Sequence, residues 1–353
     1  MKRITVVTGM FFLTLSLHAQ PYLSRVAGFL AGGVNDATEI TKAYVAPWAN
    51  MYATSLSAGW YNTARPHKLG GFDITLTGNT VIAPSAERTF DISKLNLTHT
   101  AVHPGSSSLS PTIAGKRTDG PSMDIFSGTD TVANVYKMPK GSGLPFVITP
   151  MLQAGVGLIK GTEIMIRYSP PINYGKTGKM DMWGVGLKHS LFQWIPVLNH
   201  LPVDMSLMLS YNRFNTGCDI SFRPTNFVYD ADVPLAFDDQ KMQMTLQAGT
   251  ANLLVSTTLP LVNFYGGVGY AITRADIKLS GTYPVPTLDP ATQTMVVHSA
   301  NLAKDPYNMK LETRSDLRYT LGMRIKFGLL TIHADYTYAY YSIVSTGIGL
   351  SFR

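Results

Sequence analysis

Residues 311 to 327, LETRSDLRYTLGMRIKF, alternate almost without a break. Leu311, Leu317, Tyr319, Leu321, Met323, Ile325 and Phe327 share one parity; Glu312, Arg314, Asp316, Arg318, Arg324 and Lys326 share the other. A period of two specifies a β-strand whose faces meet different surroundings. A soluble sandwich strand would alternate in the same way. The unbroken apolar row from Leu317 to Phe327 also matches the roughly 9–11 residues that carry a tilted strand across a membrane.

Similar segments recur at 50–61, 71–82, 146–158, 161–169, 180–192, 202–214, 241–258, 262–280, 310–327, 329–340 and 344–353, with a weaker one at 86–98. A barrel with both ends on one side needs an even strand number, and 86–98 supplies it. The pattern predicts an all-β fold, a transmembrane antiparallel β-barrel of 12 strands over residues 50–353. The count rises to 14 if 99–145, otherwise a long extracellular loop, hides a hairpin. In this order the short connections share the periplasmic side, and the long ones (99–145, 215–240, 281–309) lie outside. Trp60 and Trp183 then fall at the outer rim, Trp48 and Trp194 at the inner one. Tyr336, Tyr338 and Tyr340 form a lipid-facing column. Residues 20–49 predict a short helix, capped at Asn35 or Asp36 and running toward Pro47, that serves as a plug.

Composition sharpens this picture. Charged residues make up 14% of the chain against about 25% in soluble domains. No apolar run after the N-terminus is long enough for a membrane helix. Lys2, Arg3 and the apolar stretch Ile4 to Leu17 read as a signal peptide, residues 1–19, cleaved after Ala19. At the other end Ile348, Leu350 and Phe352 alternate up to Arg353, resembling the C-terminal insertion signal of bacterial barrel proteins. The two ends together place the chain in the outer membrane of a Gram-negative bacterium. Its expected partners are the lipid bilayer and the outer-membrane barrel assembly machinery, and it is expected to be a monomer. The formal charge of +7 has no Lys/Arg cluster, so a nucleic-acid partner is not expected. The single cysteine, Cys218, excludes an internal disulfide.

Candidate chemistry is sparse. Gly175-Lys176-Thr177 lacks the earlier glycine of a phosphate loop, since Pro170 stands there. His99 and His103 have metal-ligand spacing without the glutamate of a zinc protease, and Asp119, Asp124 and Asp130 are too widely spaced for a calcium loop. Catalytic residues, metals and cofactors are therefore not expected, and neither is an enzyme. The constellation worth following is the lumen face: Asp73, Glu163, Arg167, Lys188, Asp204, Glu312, Arg314, Asp316, Arg318, Arg324, Lys326, His333 and Asp335. These charges either pair across strands and hold the plug, or line a substrate path in which Arg318, Arg324 and Lys326 select anions. Gly184, Gly186, Gly267 and Gly269 leave inward room.

Four stretches, SAGWYNTARPHKLGGFDIT (57–75), PTIAG (111–115), GVGLIKGTEIMIRYSPP (155–171) and GLKHSLFQWIP (186–196), resemble a family of outer-membrane barrels of unknown function. That family is related to the FadL-type long-chain fatty-acid transporters. The Asn-Pro-Ala of the FadL-type plug is absent from residues 20–50. The resemblance implies a monomeric barrel with an N-terminal plug and a side opening, transporting small, hydrophobic, fatty-acid-like molecules; the lumen charges add anionic substrates to the range. Two alternatives stand beside it: a non-transporting structural or secretion-partner barrel with a filled lumen, and a diffusion porin, for which so few strands leave a narrow pore.

Overall fold

The structure is a computed structural model that describes residues 27–127, 130–174, 178–194, 202–223, 227–289, 291–292, 294–311 and 313–352. Ten antiparallel strands close into a barrel: β1 (Phe72–Ile82), β2 (Phe146–Gly157), β3 (Thr162–Tyr174), β4 (Gly178–Ser190), β5 (Val203–Asp219), β6 (Lys241–Thr257), β7 (Val262–Ser280), β8 (Asp316–Phe327), β9 (Leu330–Tyr338) and β10 (Ser342–Phe352). Each pairs with its sequence neighbour, and β1 closes on β10 from Phe72 opposite Phe352 to Ile82 opposite Ser342. A short extra strand, Tyr307–Leu311, extends the sheet along the upper part of β7. One helix, α1 (Gly33–Leu56), stands inside the barrel. No helix among the described residues is long and apolar enough to cross a membrane.

Twelve or fourteen strands were expected, and the described wall has ten. The stretch 50–61 is not a strand. Its apolar positions continue the helical spacing of Ala49, Ala53 and Leu56, so α1 runs on through Pro47 and buries that side. Residues 86–98 form turns and one three-residue strand in a connection at the end above the girdle. There Ile92, Leu95 and Leu97 pack on the interior core instead of facing lipid. The segment 99–145 does hold a hairpin, Ser122–Ser127 with Asp130–Lys137. It pairs with Thr100–Val102 in a separate small sheet and adds nothing to the wall. The single strand expected over 310–327 is broken between Leu311 and Asp316.

The alternation carries two different messages along one strand. Near the short turns, outward positions are apolar: Leu207, Leu209 and Tyr211 on β5, Val255 and Leu253 on β6, Phe264, Val268, Tyr270 and Ile272 on β7. Further along, the same outward parity becomes Arg213, Asn215 and Asp219 on β5, Gln247, Thr245, Gln243 and Lys241 on β6, and Arg274, Asp276 and Lys278 on β7. The inward parity changes in the opposite sense, from Ser206, Ser210 and Asn212 to Phe214 and Cys218 on β5. Below the change the outside meets lipid and the inside carries polar groups. Above it the outside meets water, and Met180, Met182, Phe214, Met242, Met244, Ile277 and Met309 pack around Ile40, Tyr44 and Val45 of α1 as an ordinary core.

The change is marked by exposed Tyr168, Trp183, Tyr270, Tyr319 and Tyr338, with half-buried Tyr211 beside Trp183, an aromatic girdle. Trp183 and exposed Trp194 sit as expected, but Trp60 and Trp48 do not: both lie inside the barrel, against Arg167 and Tyr52 respectively. Tyr336, Tyr338 and Tyr340 face outward. At the lower edge Ile348 and Leu350 also face outward, and Phe352 stacks on Phe72 across the closure, 4.6 Å between ring centroids.

Leu321 is 72% exposed within the apolar band, so Leu321→Arg should cost about 2–4 kcal/mol of folding into bilayers, the range for a cation near mid-membrane. Gln247→Arg, above the girdle, should cost almost nothing. Urea titration of the vesicle-inserted protein measures both, and equal costs would mean that the band is misplaced.

Candidate functional site

The site is the interior of the barrel and what fills it. The last turn of a helix leaves carbonyls without partners, and a dry lumen offers no water to satisfy them. Here the wall supplies the donors. Arg167 on β3 donates from its two terminal nitrogens to Leu56 O (3.2 Å) and Ala58 O (2.8 Å). Asn212 on β5 also donates to Leu56 O, at 2.8 Å, and Asn79 on β1 donates to Ser55 O and Ala58 O. Arg318 on β8 donates to Ser57 O (2.8 Å) and Ser57 Oγ (2.7 Å). Two guanidinium groups from opposite strands thus meet the negative end of the helix dipole. Arg167 also donates to Gln153 Oε1 and lies 3.8 Å above the Trp60 ring.

At its other end α1 is held by the long connection above the girdle. Both carboxylate oxygens of Asp36, in the first helical turn, accept backbone N–H groups: Thr98 N at 2.7 Å and His99 N at 2.8 Å.

Below the helix, residues 57–71 run down to the start of β1 and engage the wall at each step. Arg65 pairs with Asp204 at 2.7 Å, and Ala64 N donates to Ser256 Oγ. Glu163 Oε2 accepts His67 N at 2.9 Å and stands 3.1 Å from His67 Nδ1 and 3.2 Å from Lys188 Nζ. His67 Nδ1 is 3.8 Å from Asp73, and its Nε2 meets Ser351 Oγ at 3.2 Å. Donor atoms of His67, Asp73 and Glu163 lie within 4.8 Å of one another and could hold a cation. Lys188 already places a positive charge against Glu163, so the group reads as an ion network that closes the barrel floor.

Glycines make this fit. A Cβ on Gly186 would come within 2.9 Å of Trp60, and one on Gly267 within 2.8 Å of the Tyr61 hydroxyl. On the opposite wall Tyr265 donates to Asp335 Oδ2 at 2.9 Å, and His333 meets Thr77 Oγ1 at 3.4 Å through Nε2. The interior space between Ser57, Gly59, Tyr61, Asn252, Arg318 and Asp335 has a volume of only 10 Å³. That is about one water molecule's room.

Of the residues expected to face the lumen, Asp73, Glu163, Arg167, Lys188, Arg318, Arg324, His333 and Asp335 are buried inside, and Asp204 is half-buried against Arg65. Asp316 and Lys326 are partly exposed. Arg314 is not in the lumen. It lies in the break before β8, exposed, with its guanidinium 3.7 Å above the Tyr340 ring. Glu312 and Gly175-Lys176-Thr177 lie outside the described residues. In the long connections His99 Nδ1 meets Phe126 O, His103 pairs with Asp124 at 2.9 Å, and Asp119 pairs with Lys140. Arg318, Arg324 and Lys326 form no ring around a pore, because Arg318 is spent on the helix end. Sequence reasoning missed the residues that the wall grips, Leu56, Ser57, Ala58, Trp60 and His67, although the quoted stretch 57–75 contains four of them.

The wall itself has a seam. β2 and β3 pair only from Gln153–Gly157 to Glu163–Arg167. Among the described residues no ladder pair joins Phe146–Leu152 to Tyr168–Tyr174, although both segments are extended. Pro150, Pro170 and Pro171 explain it, because none of them has an N–H to donate, and the β3–β4 register shifts between Ser169 and Ile172. The seam opens at the girdle, where Tyr168 faces outward, and Val147, Thr149 and Met151 line its inner side against α1.

A family model described as a family of unknown function, DUF6588, matches residues 1–352. No curated protein matches the chain. Among solved structures the outer membrane protease OmpT from Escherichia coli is similar at 9% identity and a TM-score of 0.32, over 80% of this chain and 95% of that one. The transport unit of the autotransporter AIDA-I from Escherichia coli is similar at 12% identity and a TM-score of 0.30, over 86% and 98%. The outer membrane protein OprG from Pseudomonas aeruginosa is similar at 12% identity and a TM-score of 0.28, over 83% and 100%. At such scores none of them bears on what this chain does.

Arg167→Met keeps the bulk and removes the charged donors at the helix end. It should destabilise the protein by roughly 1–3 kcal/mol, the cost of losing buried charge-assisted bonds. It should also raise the single-channel conductance in planar bilayers above that of the intact protein. An unchanged conductance together with unchanged stability would mean that Arg167 does not hold the plug.

Proposed function

The chain belongs to the DUF6588 family, and we propose that it is an outer-membrane conduit for small apolar, fatty-acid-like molecules, closed along its axis and open sideways between β2 and β3. The single observation that carries this reading is the seam beside a methionine-lined interior, above a helix end that Arg167, Asn212 and Arg318 bond to the wall. A polar solute needs a continuous wet path, and the packed helix, Trp60 and the Glu163 network stand across the lumen. An apolar molecule needs no such path. The methionines around α1 offer an adaptable apolar surface, and the seam leads from it to the bilayer, where such a molecule is soluble. Because α1 fills that interior at rest, passage requires the helix to shift. The N-terminal signal and the Ile348, Leu350, Phe352 alternation support the outer membrane, with the short turns in the periplasm. A second reading, a structural or secretion-partner barrel with a filled lumen, is favoured by the density of the packing alone.

Uptake of a labelled long-chain fatty acid into vesicles separates the two. In a Cys218→Ser background, Leu152→Cys with Tyr168→Cys puts one thiol on each edge of the seam. Oxidation should abolish uptake, and reduction should restore it. Uptake that is identical in both redox states, or absent from the parent protein, would leave the filled barrel as the better account.

A further inference from the structure

Above the girdle the outward face of β4 to β7 carries a built polar surface that the conduit does not use. The register sets Trp183 beside Arg213, Arg213 beside Gln247, and Gln247 beside Arg274 in one row across four strands. The second row beyond it runs Lys179, Gly217, Gln243, Lys278. Gly217 has no side chain to fill its place in that row. The result is a hollow of 490 Å³ whose walls include Lys179, Asp181, Asn215, Lys241, Gln243 and Thr245. Its centre is held in shape: Arg213 Nε and Thr245 Oγ1 donate to Asn215 Oδ1 at 3.3 and 3.2 Å, and Asn215 Nδ2 donates to Asp181 Oδ2 at 2.8 Å.

Depth decides what meets this surface. The hollow begins at the row of Asp181 and Asn215, one row above Trp183 and two above Tyr211, so its neighbour is the headgroup layer and not bulk water. The hollow itself balances Lys179 and Lys241 against Asp181 and Asp219, and the face around it adds Arg213, Arg274 and Lys278 against Asp276, an excess of cations that suits an anion. Ammonium and guanidinium groups suit phosphate, while the carboxylates and the Gln243 amide suit sugar hydroxyls. A glycerol phosphate headgroup is smaller and less rigid than a phosphorylated sugar, and it cannot reach the ammonium groups and the Asp181 and Gln243 side chains as one body.

We infer that the hollow around Gly217 binds the phosphorylated sugar headgroup of an outer-leaflet glycolipid. The inference rests on the reading that the end with the long connections faces outward. Bound there, the lipid would stand on the girdle between β4 and β7 and fix the height of the barrel in the membrane.

The test uses the folded full-length mature protein in detergent, titrated with a bisphosphorylated diglucosamine glycolipid, its dephosphorylated counterpart and phosphatidylglycerol, and followed by native mass spectrometry. The phosphorylated glycolipid should bind tightest. Lys179→Gln with Lys241→Gln should weaken it roughly tenfold or more, which is about 1.4 kcal/mol. Lys94→Gln with Lys304→Gln, in the connections, should leave binding unchanged. Heat-modifiable gel migration identifies variants that fold. Phosphatidylglycerol binding as tightly as the glycolipid, or a folded Lys179/Lys241 variant with full affinity, overturns the proposal. Orientation is read separately: Ala291→Cys, in a Cys218→Ser background, should react with an impermeant maleimide on intact cells. Failure of that labelling alone would overturn the outward orientation while leaving the detergent binding to speak for the hollow.

Discussion

A helix that ends inside a barrel needs partners for its last carbonyls, and everything else in this molecule follows from how that need is met. Arg167 and Arg318 reach inward from β3 and β8, with Asn79 and Asn212 beside them, and bond the carbonyls of Ser55 through Ala58. Charged donors on a lumen wall are costly unless paired, and free helix carbonyls are costly for the same reason. Each solves the other's problem. Arg167 and Arg318 on the lumen wall accordingly hold the helix end.

The clamp fixes where the remaining interior can go. Beneath it, Trp60 packs under Arg167, and the His67, Glu163, Lys188 network ties the descending chain to the wall. Above it the barrel stands clear of the lipid band, and its interior is free to be apolar because its exterior is wet. That reversal of faces, between Tyr211 and Arg213 on β5 and between Ile272 and Arg274 on β7, gives one chain both a membrane anchor and a water-facing core. The seam between β2 and β3 opens at the height of the reversal, where the methionine-lined core comes nearest to the bilayer.

The sequence by itself determined the wall. Alternation located β1 to β7, β9 and β10 closely, because a strand with unlike solvents on its faces must repeat every two residues. It also put Leu321 outside and Arg324, His333 and Asp335 inside. It misread 50–61 and 86–98 as strands, since a few apolar residues at mixed spacing fit a helix or a loop as well as a strand, and only their partners settle the matter: Leu56 under Arg167, Ile92 on the interior core. Trp60 was placed at the rim for want of the guanidinium that covers it, which lies more than a hundred residues away along the chain. The prolines of the seam were legible, but their effect was not, because an unpaired edge is a relation between two strands. Period two says that two faces differ, and only the tertiary structure decides, row by row, whether lipid, water or a helix is on the other side.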